Sequence, residues 1–186
     1  MASLAMHLAI AQEYYKTHTD LNCNEFLRGT LQPDLAEYKH RSHFSSKPKD
    51  ESMEESAKSK VDIIKYVGKY DLSSDYYIGK FLHLLTDYLF YSEYLINIAE
   101  FKALKLANLE QAKEVVFSDY DRLTVFLQTK YNLDLSILPE CARVSSKRKP
   151  KVLQEQSVAK FIKYCVGLDL EAEYLKIKAG ELVFSC

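Results

Sequence analysis

GKFLHLLTDYLFYSEYL, residues Gly79 to Leu95, is the stretch that decides the fold. Its side chains are mostly Phe, Leu and Tyr, which are typical of a buried helix. His83 and Asp87 stand inside this apolar run, four residues apart, and therefore share one helix face. Gly79 lies one turn earlier on the same face and leaves room for another group against the backbone. The stretch predicts a core helix that carries a polar pair.

Composition predicts one globular domain that spans residues 1–186. Apolar residues make up 47% of the chain, which is enough to build a core. The 25 basic and 26 acidic residues nearly cancel, so charge gives no strong nucleic-acid signal. No apolar run reaches the ~20 residues that a transmembrane helix needs. The four cysteines form no C-x-x-C pair, and the N-terminus lacks the features of a signal peptide, so we expect a cytoplasmic protein with reduced thiols.

Helical periodicity dominates the chain and predicts an all-α, compact multi-helix bundle. Ser3 is expected to cap a first helix that ends near Thr17, and Ser73 or Ser74 to cap the core helix. Asn22 or Asn24 is expected to cap a short turn, which Gly29 and Pro33 then break into a loop. The other helices are predicted at Glu54–Tyr70, Asp75–Ala103, Glu110–Tyr131 and Val152–Val166.

Two segments remain open from the sequence. The C-terminal tail alternates Leu175, Ile177 and Ala179 before a turn at Gly180, which is compatible with a short hairpin. A basic cluster precedes the last predicted helix. It favours a solvated loop, with a phosphate-facing loop as the alternative, and its residues are Lys147, Arg148, Lys149 and Lys151.

The five histidines all lie within the first 83 residues, at positions 7, 18, 40, 43 and 83. Taken singly, His7 is typical of a satisfied core histidine, Asp34 of a helix cap, and His43 of a surface residue. His83 and Asp87 can equally hydrogen-bond each other. Three imidazoles and two carboxylates in one cavity, however, are best balanced by a divalent cation, because unpaired buried polar groups cost several kcal/mol. Nitrogen and oxygen ligands of this kind suit zinc, iron or manganese.

The order of these residues resembles the zinc-dependent phospholipase C family, an all-helical fold shared with S1/P1-type nucleases. The family begins with a histidine in its first helix and continues with F-x-x-G-x-x-x-P-D. A lysine, a His-Phe pair and a helix with G-x-x-x-H-x-x-x-D follow. The match covers about the first half of the chain. The matching residues are His7, Phe26, Gly29, Pro33, Asp34, Lys39, His43, Phe44, Gly79, His83 and Asp87.

The resemblance implies a phospholipase C/P1 nuclease-like bundle with one or two metal ions, zinc above all. A first ion is implied by the set Asp34, His43, His83 and Asp87. A second ion would use His7, with Asp87 bridging to the first. The family's later histidines have no counterpart here, so a third ion is expected to be lost or rebuilt from the carboxylates of Glu93, Asp119 or Asp121.

A metal-dependent hydrolase of a phosphodiester or phosphomonoester is the function that these features predict. A metal ion with an open coordination position lowers the pKa of a bound water toward ~7, and the resulting hydroxide is a nucleophile. The resemblance implies Asp34 as general base, and a small phosphoester or a lipid head group as substrate. The alternatives are a non-catalytic metal-binding or regulatory protein of this fold, and an all-α interaction module with satisfied core polar groups. The sequence leaves the oligomeric state open.

Overall fold

Helices form all the regular secondary structure in the part of the chain that the structure describes. The structure is a computed structural model that describes residues 2–45, 61–137 and 151–181. The all-α prediction is therefore confirmed for these residues. The helices are α1 (Leu4–Tyr15), α2 (Cys23–Leu35), α3 (Lys39–Ser42), α4 (Ile63–Val67), α5 (Asp75–Leu89), α6 (Ala99–Ala107), α7 (Leu109–Tyr131), α8 (Glu155–Val166) and α9 (Leu170–Lys178).

Helices α1 and α5 form the centre of the core. Every residue from Ala5 to Ala11 is buried, as is every residue from Phe81 to Asp87. Helices that are buried on all sides need apolar residues all round, which explains the long apolar runs in both segments. Ser3 and Ser74 cap these helices by accepting hydrogen bonds from the N–H groups of Met6 and Tyr77. Helix α1 also contacts α2, α7 and α8.

Helices α2 and α5 cross at close range through two glycines. A Cβ atom at Gly29 would overlap the carbonyl oxygen of Tyr76, and one at Gly79 would overlap that of Phe26. Only glycine lets the two backbones approach this closely. Gly79 therefore does leave room against its backbone, as expected, and the neighbouring helix α2 occupies that room.

The prediction of a turn and loop between Asn22 and Asp34 is wrong. Asn22 does act as an N-cap, but helix α2 continues through Gly29 and Pro33 to Leu35. In a helix without tertiary contacts, glycine and proline are both destabilising. Here the packing of α2 against α5 stabilises it, and Pro33 stands in the last turn, close to the helix end.

The predicted single helix from Asp75 to Ala103 is also wrong, because it ends as an α-helix at Leu89. A π-helical turn (Phe90–Tyr94) and a 3₁₀ turn (Leu95–Asn97) follow before α6 begins. The Asn97 side chain donates to the Glu93 carbonyl at 2.6 Å, and the Ser92 hydroxyl donates to the Tyr88 carbonyl at 2.7 Å. Side-chain bonds of this kind, to the carbonyl four residues earlier, often bend a helix.

The three predictions for the C-terminal half of the chain differ in outcome. Helix α7 confirms the prediction for Glu110–Tyr131 almost to the residue, whereas the C-terminal hairpin is wrong for the described residues. Leu170, Tyr174 and Ile177 are buried with helical spacing in α9, and Asp169 caps that helix. Helix α8 starts at Glu155, three residues later than predicted, because Gln154 is extended and forms the N-cap. The N–H groups of residues 151–153 before it bind the carboxylate of Asp119.

Several expectations fall on residues that the structure does not describe. Residues 54–60 of the predicted Glu54–Tyr70 helix lie outside the described ranges, and α4 stands within its remainder. Lys147, Arg148 and Lys149 also lie outside, while Lys151 is exposed. Cys23 and Cys165 carry free thiols. Within the described residues, no helix is both long and apolar enough to cross a membrane.

Candidate metal centre

The five predicted ligands converge from four helical elements onto one buried point. His7 comes from α1, Asp34 from the end of α2, His43 from the residue after α3, and His83 and Asp87 from α5. His7, His43, His83 and Asp87 are at most 2% exposed, and the side chain of Asp34 is 6% exposed. The structure therefore brings together every residue of the predicted set.

The hydrogen bonds of His83 and His43 fix how their rings are protonated. Nδ1 of His83 lies 2.7 Å from the Thr30 carbonyl oxygen, and Nδ1 of His43 lies 2.8 Å from that of Lys39. A carbonyl only accepts, so both Nδ1 atoms carry hydrogen and donate. In a neutral imidazole this leaves Nε2 with a bare lone pair. Burial lowers the pKa of His83 to about 4, so its ring is neutral at pH 7.

These two Nε2 atoms face each other at 3.1 Å. Two lone pairs repel at that distance unless a cation lies between them, either a proton or a metal ion. Metal-binding histidines commonly donate their other N–H to a backbone carbonyl, as both do here, which sets the ring orientation and raises the basicity of the ligand nitrogen. The arrangement is thus what a metal site requires.

Asp87 supplies the anionic side of the cluster. Its Oδ1 accepts from the Ala2 N–H at 2.6 Å and lies 3.2 Å from Nε2 of His7. Its Oδ2 lies 3.3 Å from Nε2 of His43 and 3.6 Å from Nε2 of His83. That oxygen makes no hydrogen bond among the described residues. Burial raises the pKa of Asp87, but nearby positive charge and the hydrogen bond from His7 hold it well below its usual range.

The separations within this trio fit a divalent ion. Ligand bonds of about 2.0–2.2 Å hold neighbouring ligand atoms roughly 3.0–3.4 Å apart. The observed separations among His43 Nε2, His83 Nε2 and Asp87 Oδ2 are 3.1, 3.3 and 3.6 Å. Two of these separations lie within that range and the third, 3.6 Å, is slightly longer, so an ionised buried oxygen and two bare nitrogens stand close to the spacing of ligands around a cation.

His7 extends the cluster on the other side of His83. Its ring stacks on that of His83, with centroids 3.7 Å apart, and its Nδ1 is buried without a hydrogen-bond partner among the described residues. Two ligand groups result, His7 with His83 and Asp87, and Asp34 with His43 and His83, each with its ligand atoms within 4.8 Å of one another. Since Nδ1 of His83 is committed to Thr30, its one free nitrogen can serve a single ion.

Asp34 marks the solvent side of the centre. It lies in the last turn of helix α2, not in the loop that the sequence predicted. Its Oδ1 is 3.8 Å from Nε2 of His43 and accepts from the Lys39 ammonium at 3.4 Å. The Lys39 side chain is 53% exposed. Asp34 is therefore the ligand candidate that connects the buried histidines to a surface cation.

Phe44, the residue after His43, has a left-handed backbone with φ of 59°. This conformation is uncommon for a bulky residue and turns the chain sharply. The Phe44 ring packs edge-on against the rings of Tyr66 and Tyr70 at 5.5 and 6.0 Å. The turn at Phe44 thereby anchors the chain directly beyond His43.

Two tyrosines near the centre were not predicted from the sequence. Burial raises the pKa of Tyr91 to about 12, with the charge of Asp87 adding to it. Burial also raises the pKa of Tyr120 well above its usual range, and Tyr91, Asp87 and Asp34 reinforce the shift. Both phenols are thus neutral donors close to the carboxylates. The chain has 14 tyrosines, and no spacing distinguishes these two.

The carboxylates considered for a third ion lie elsewhere. Asp119 is buried but accepts from the backbone N–H groups of residues 151–153 and from Arg122, so it holds a loop in place. Glu93 and Asp121 are exposed. The histidine that follows α1, His18, also lies apart from the centre and stacks on Tyr14 with ring centroids 3.9 Å apart. None of these residues belongs to either ligand group found among the described residues.

Comparison of the chain with protein-family models, with curated proteins and with solved structures finds no match.

Proposed function

We propose that this chain is a metal-dependent hydrolase that acts on a phosphoester. The observation that carries the proposal is the pair of Nε2 atoms 3.1 Å apart, with both Nδ1 atoms committed to backbone carbonyls. Zinc is the leading metal, with iron or manganese as alternatives, because these metals accept imidazole and carboxylate together. A bound ion would supply an activated water and charge neutralisation for the phosphoester.

The arrangement of ligands supports an open coordination position. Catalytic zinc sites typically have three protein ligands and keep the fourth position for water or substrate. His43, His83 and Asp87 form a close trio, whereas Asp34 stands farther out, 3.8 Å from the nearest histidine nitrogen. In this position the Asp34 carboxylate would serve as general base, accepting a proton from a water activated at the trio.

Lys39 gives the proposed site its preference for an anion. Its ammonium lies beside Asp34 and is more than half exposed. A cation at the solvent edge attracts a phosphate and can bind one of its oxygens. Phosphodiesters, phosphomonoesters and lipid head groups all carry this group. The resemblance to the phospholipase C and P1 nuclease families supports the same substrate class and the corresponding helical fold.

Metal analysis of the purified chain tests the first half of the proposal. We expect stoichiometric zinc after loading and desalting, and its loss in His83→Gln and Asp87→Asn. His18→Gln is the matched control, because His18 lies outside both ligand groups. A fully loaded His83→Gln protein would contradict the assignment. Absence of metal from the wild-type chain would instead favour a shared proton between His43 and His83.

Turnover of p-nitrophenyl phosphate and bis-p-nitrophenyl phosphate by the loaded chain tests the second half. Asp34→Asn should retain metal and lose about 100-fold or more of the activity, since a general base contributes that much. Asp121→Asn, an exposed carboxylate on α7, is the control and should be unchanged. Equal turnover by Asp34→Asn and wild type would refute the role of Asp34.

A non-catalytic metal-binding protein is the second candidate, and the burial of the cluster favours it. No candidate ligand side chain is more than 6% exposed, which leaves a substrate little access to an ion held among them. This candidate predicts the same metal content and the same His83→Gln loss. It differs by predicting no turnover of either phosphoester by the loaded chain.

A further inference from the structure

A cleft of about 370 Å³ opens between the π-helical turn and helix α8. The cleft is separate from the candidate metal centre, because none of the five candidate ligands lines it. Leu89, which does line it, follows Asp87 by two residues on α5. Such residues are separated by about 200° around a helix, so the cleft lies on the opposite side of α5.

Aromatic rings give this cleft an apolar interior. The rings of Tyr94 and Phe161 lie 4.8 Å apart and meet at 31°, and Leu89 lies beside them. Tyr164 forms part of the rim and is 50% exposed. The cleft volume falls in the range of small-molecule sites, which are mostly apolar with a few placed polar groups. A flat aromatic ring is the shape that fits against these walls.

The π-helical turn places a polar group at the inner end of the cleft. π-Helical turns inside α-helices occur frequently at functional sites. The hydroxyl of Tyr94 is buried beside Ser157, and both residues line the cleft. A polar group of a ligand in the cleft could hydrogen-bond to these hydroxyls.

Two opposite charges flank the opening. Glu93 and Lys160 are both exposed and both line the cleft. Neither forms an ion pair within the described residues, with each other or with a third group. The cleft therefore presents a free carboxylate and a free ammonium on either side of an aromatic interior.

We propose that this cleft binds a small aromatic zwitterion, with its ring against Tyr94 and Phe161, its ammonium at Glu93 and its carboxylate at Lys160. A free aromatic amino acid has this chemistry. The proposal is independent of the metal centre, because the two sites share no residue.

Indole compounds provide a direct test, because the chain contains no tryptophan. Selective excitation of the indole therefore reports only the ligand, and its fluorescence anisotropy rises on binding. We expect L-tryptophan to bind at least about tenfold more tightly than tryptamine, which lacks the carboxylate, or indole-3-acetate, which lacks the ammonium. An apolar site alone would bind indole as tightly as L-tryptophan, and that result would overturn the proposal.

Exposed-residue variants assign the two charges. Glu93→Gln should weaken the binding of L-tryptophan and of tryptamine about tenfold and leave the binding of indole-3-acetate unchanged. Lys160→Met should instead weaken the binding of L-tryptophan and of indole-3-acetate and leave the binding of tryptamine unchanged. Glu100→Gln and Lys163→Met are matched controls, because both residues are exposed and lie outside the cleft. Equal binding by all four variants, or no anisotropy change with any probe, would overturn the proposal.

Discussion

At the residue scale, the protonation of His83 decides the chemistry of the metal centre. Its Nδ1–H is fixed by the Thr30 carbonyl, and burial keeps the ring neutral. The sequence predicted that His83 and Asp87 would share a helix face, which the structure confirms. It did not predict the carbonyl partners, because Thr30 and Lys39 contribute backbone atoms that no side-chain pattern reveals.

The low pKa of His83 predicts acid sensitivity of the metal-free protein. The folded pKa of about 4 lies below the unfolded value of 6.5, so the unfolded state binds a proton first as pH falls. The stabilisation from the neutral ring is complete above pH 6.5 and is lost as pH falls through 4. We expect the free energy of unfolding to drop by about 3 kcal/mol over this window.

Urea denaturation of the chelator-treated protein at several pH values measures this drop. His83→Gln, which cannot titrate there, should show a smaller pH slope between pH 6.5 and 4. An identical slope in both proteins would assign the acid sensitivity to other groups.

Asp119 illustrates a buried carboxylate whose role could not be predicted from sequence. The sequence suggested Asp119 as a substitute for the missing histidine ligands of a third ion. Its oxygens instead accept from three consecutive backbone N–H groups at 2.6–2.9 Å. Asp119→Asn would place an amide donor against those donors. We expect a loss of about 3 kcal/mol in the free energy of unfolding, measured by chemical denaturation, with metal content unchanged. A loss of metal without a loss of stability would make Asp119 a ligand after all.

At the element scale, the crossing of α2 and α5 positions most of the centre. It brings Asp34 and the Thr30 carbonyl to His83 and Asp87. The sequence favoured a loop at α2 because Gly29 and Pro33 are local helix breakers. Tertiary packing overrides that preference, since Gly29 and Gly79 are the contact points of the crossing. The end of α5 at Leu89 escaped prediction because the apolar residues continue through Phe90 and Tyr94, so apolar spacing does not mark the change to a π-helical turn.

This crossing makes Gly79→Ala a severe substitution. The added Cβ would overlap the Phe26 carbonyl, which a packed backbone cannot avoid. We expect a loss of at least about 3 kcal/mol in stability, with weaker metal binding because α2 moves away from His83. Calorimetry and metal titration measure the two effects.

Gly68→Ala is the matched control for this substitution. A Cβ at Gly68 has 3.4 Å to its nearest atom, the Ile64 carbonyl oxygen, and should cost little. Equal stability of both variants would contradict the close approach of α2 and α5.

At the scale of the whole molecule, the candidate metal centre joins α1, α2, α3 and α5 at one point. An ion bound there stabilises only the state in which all four are assembled. At a free concentration of 100 Kd it should contribute about 2.7 kcal/mol to folding. For a chain of 186 residues this corresponds to a rise in Tm of roughly 5–10 °C.

Differential scanning calorimetry with zinc and with EDTA checks this coupling. His83→Gln should show no zinc-dependent rise. An unchanged Tm for the wild type in the two conditions would favour a core whose polar groups satisfy one another without metal.

The shortness of α3 should set how fast an ion could leave the proposed site. His43 follows a helix of only 4 residues whose Lys39 and Arg41 are exposed, whereas His7 and His83 lie on the long, buried helices α1 and α5. The element with the fewest internal bonds opens most often. Ion exchange would therefore follow the opening rate of α3, and slow chelation kinetics would report local unfolding of that short helix.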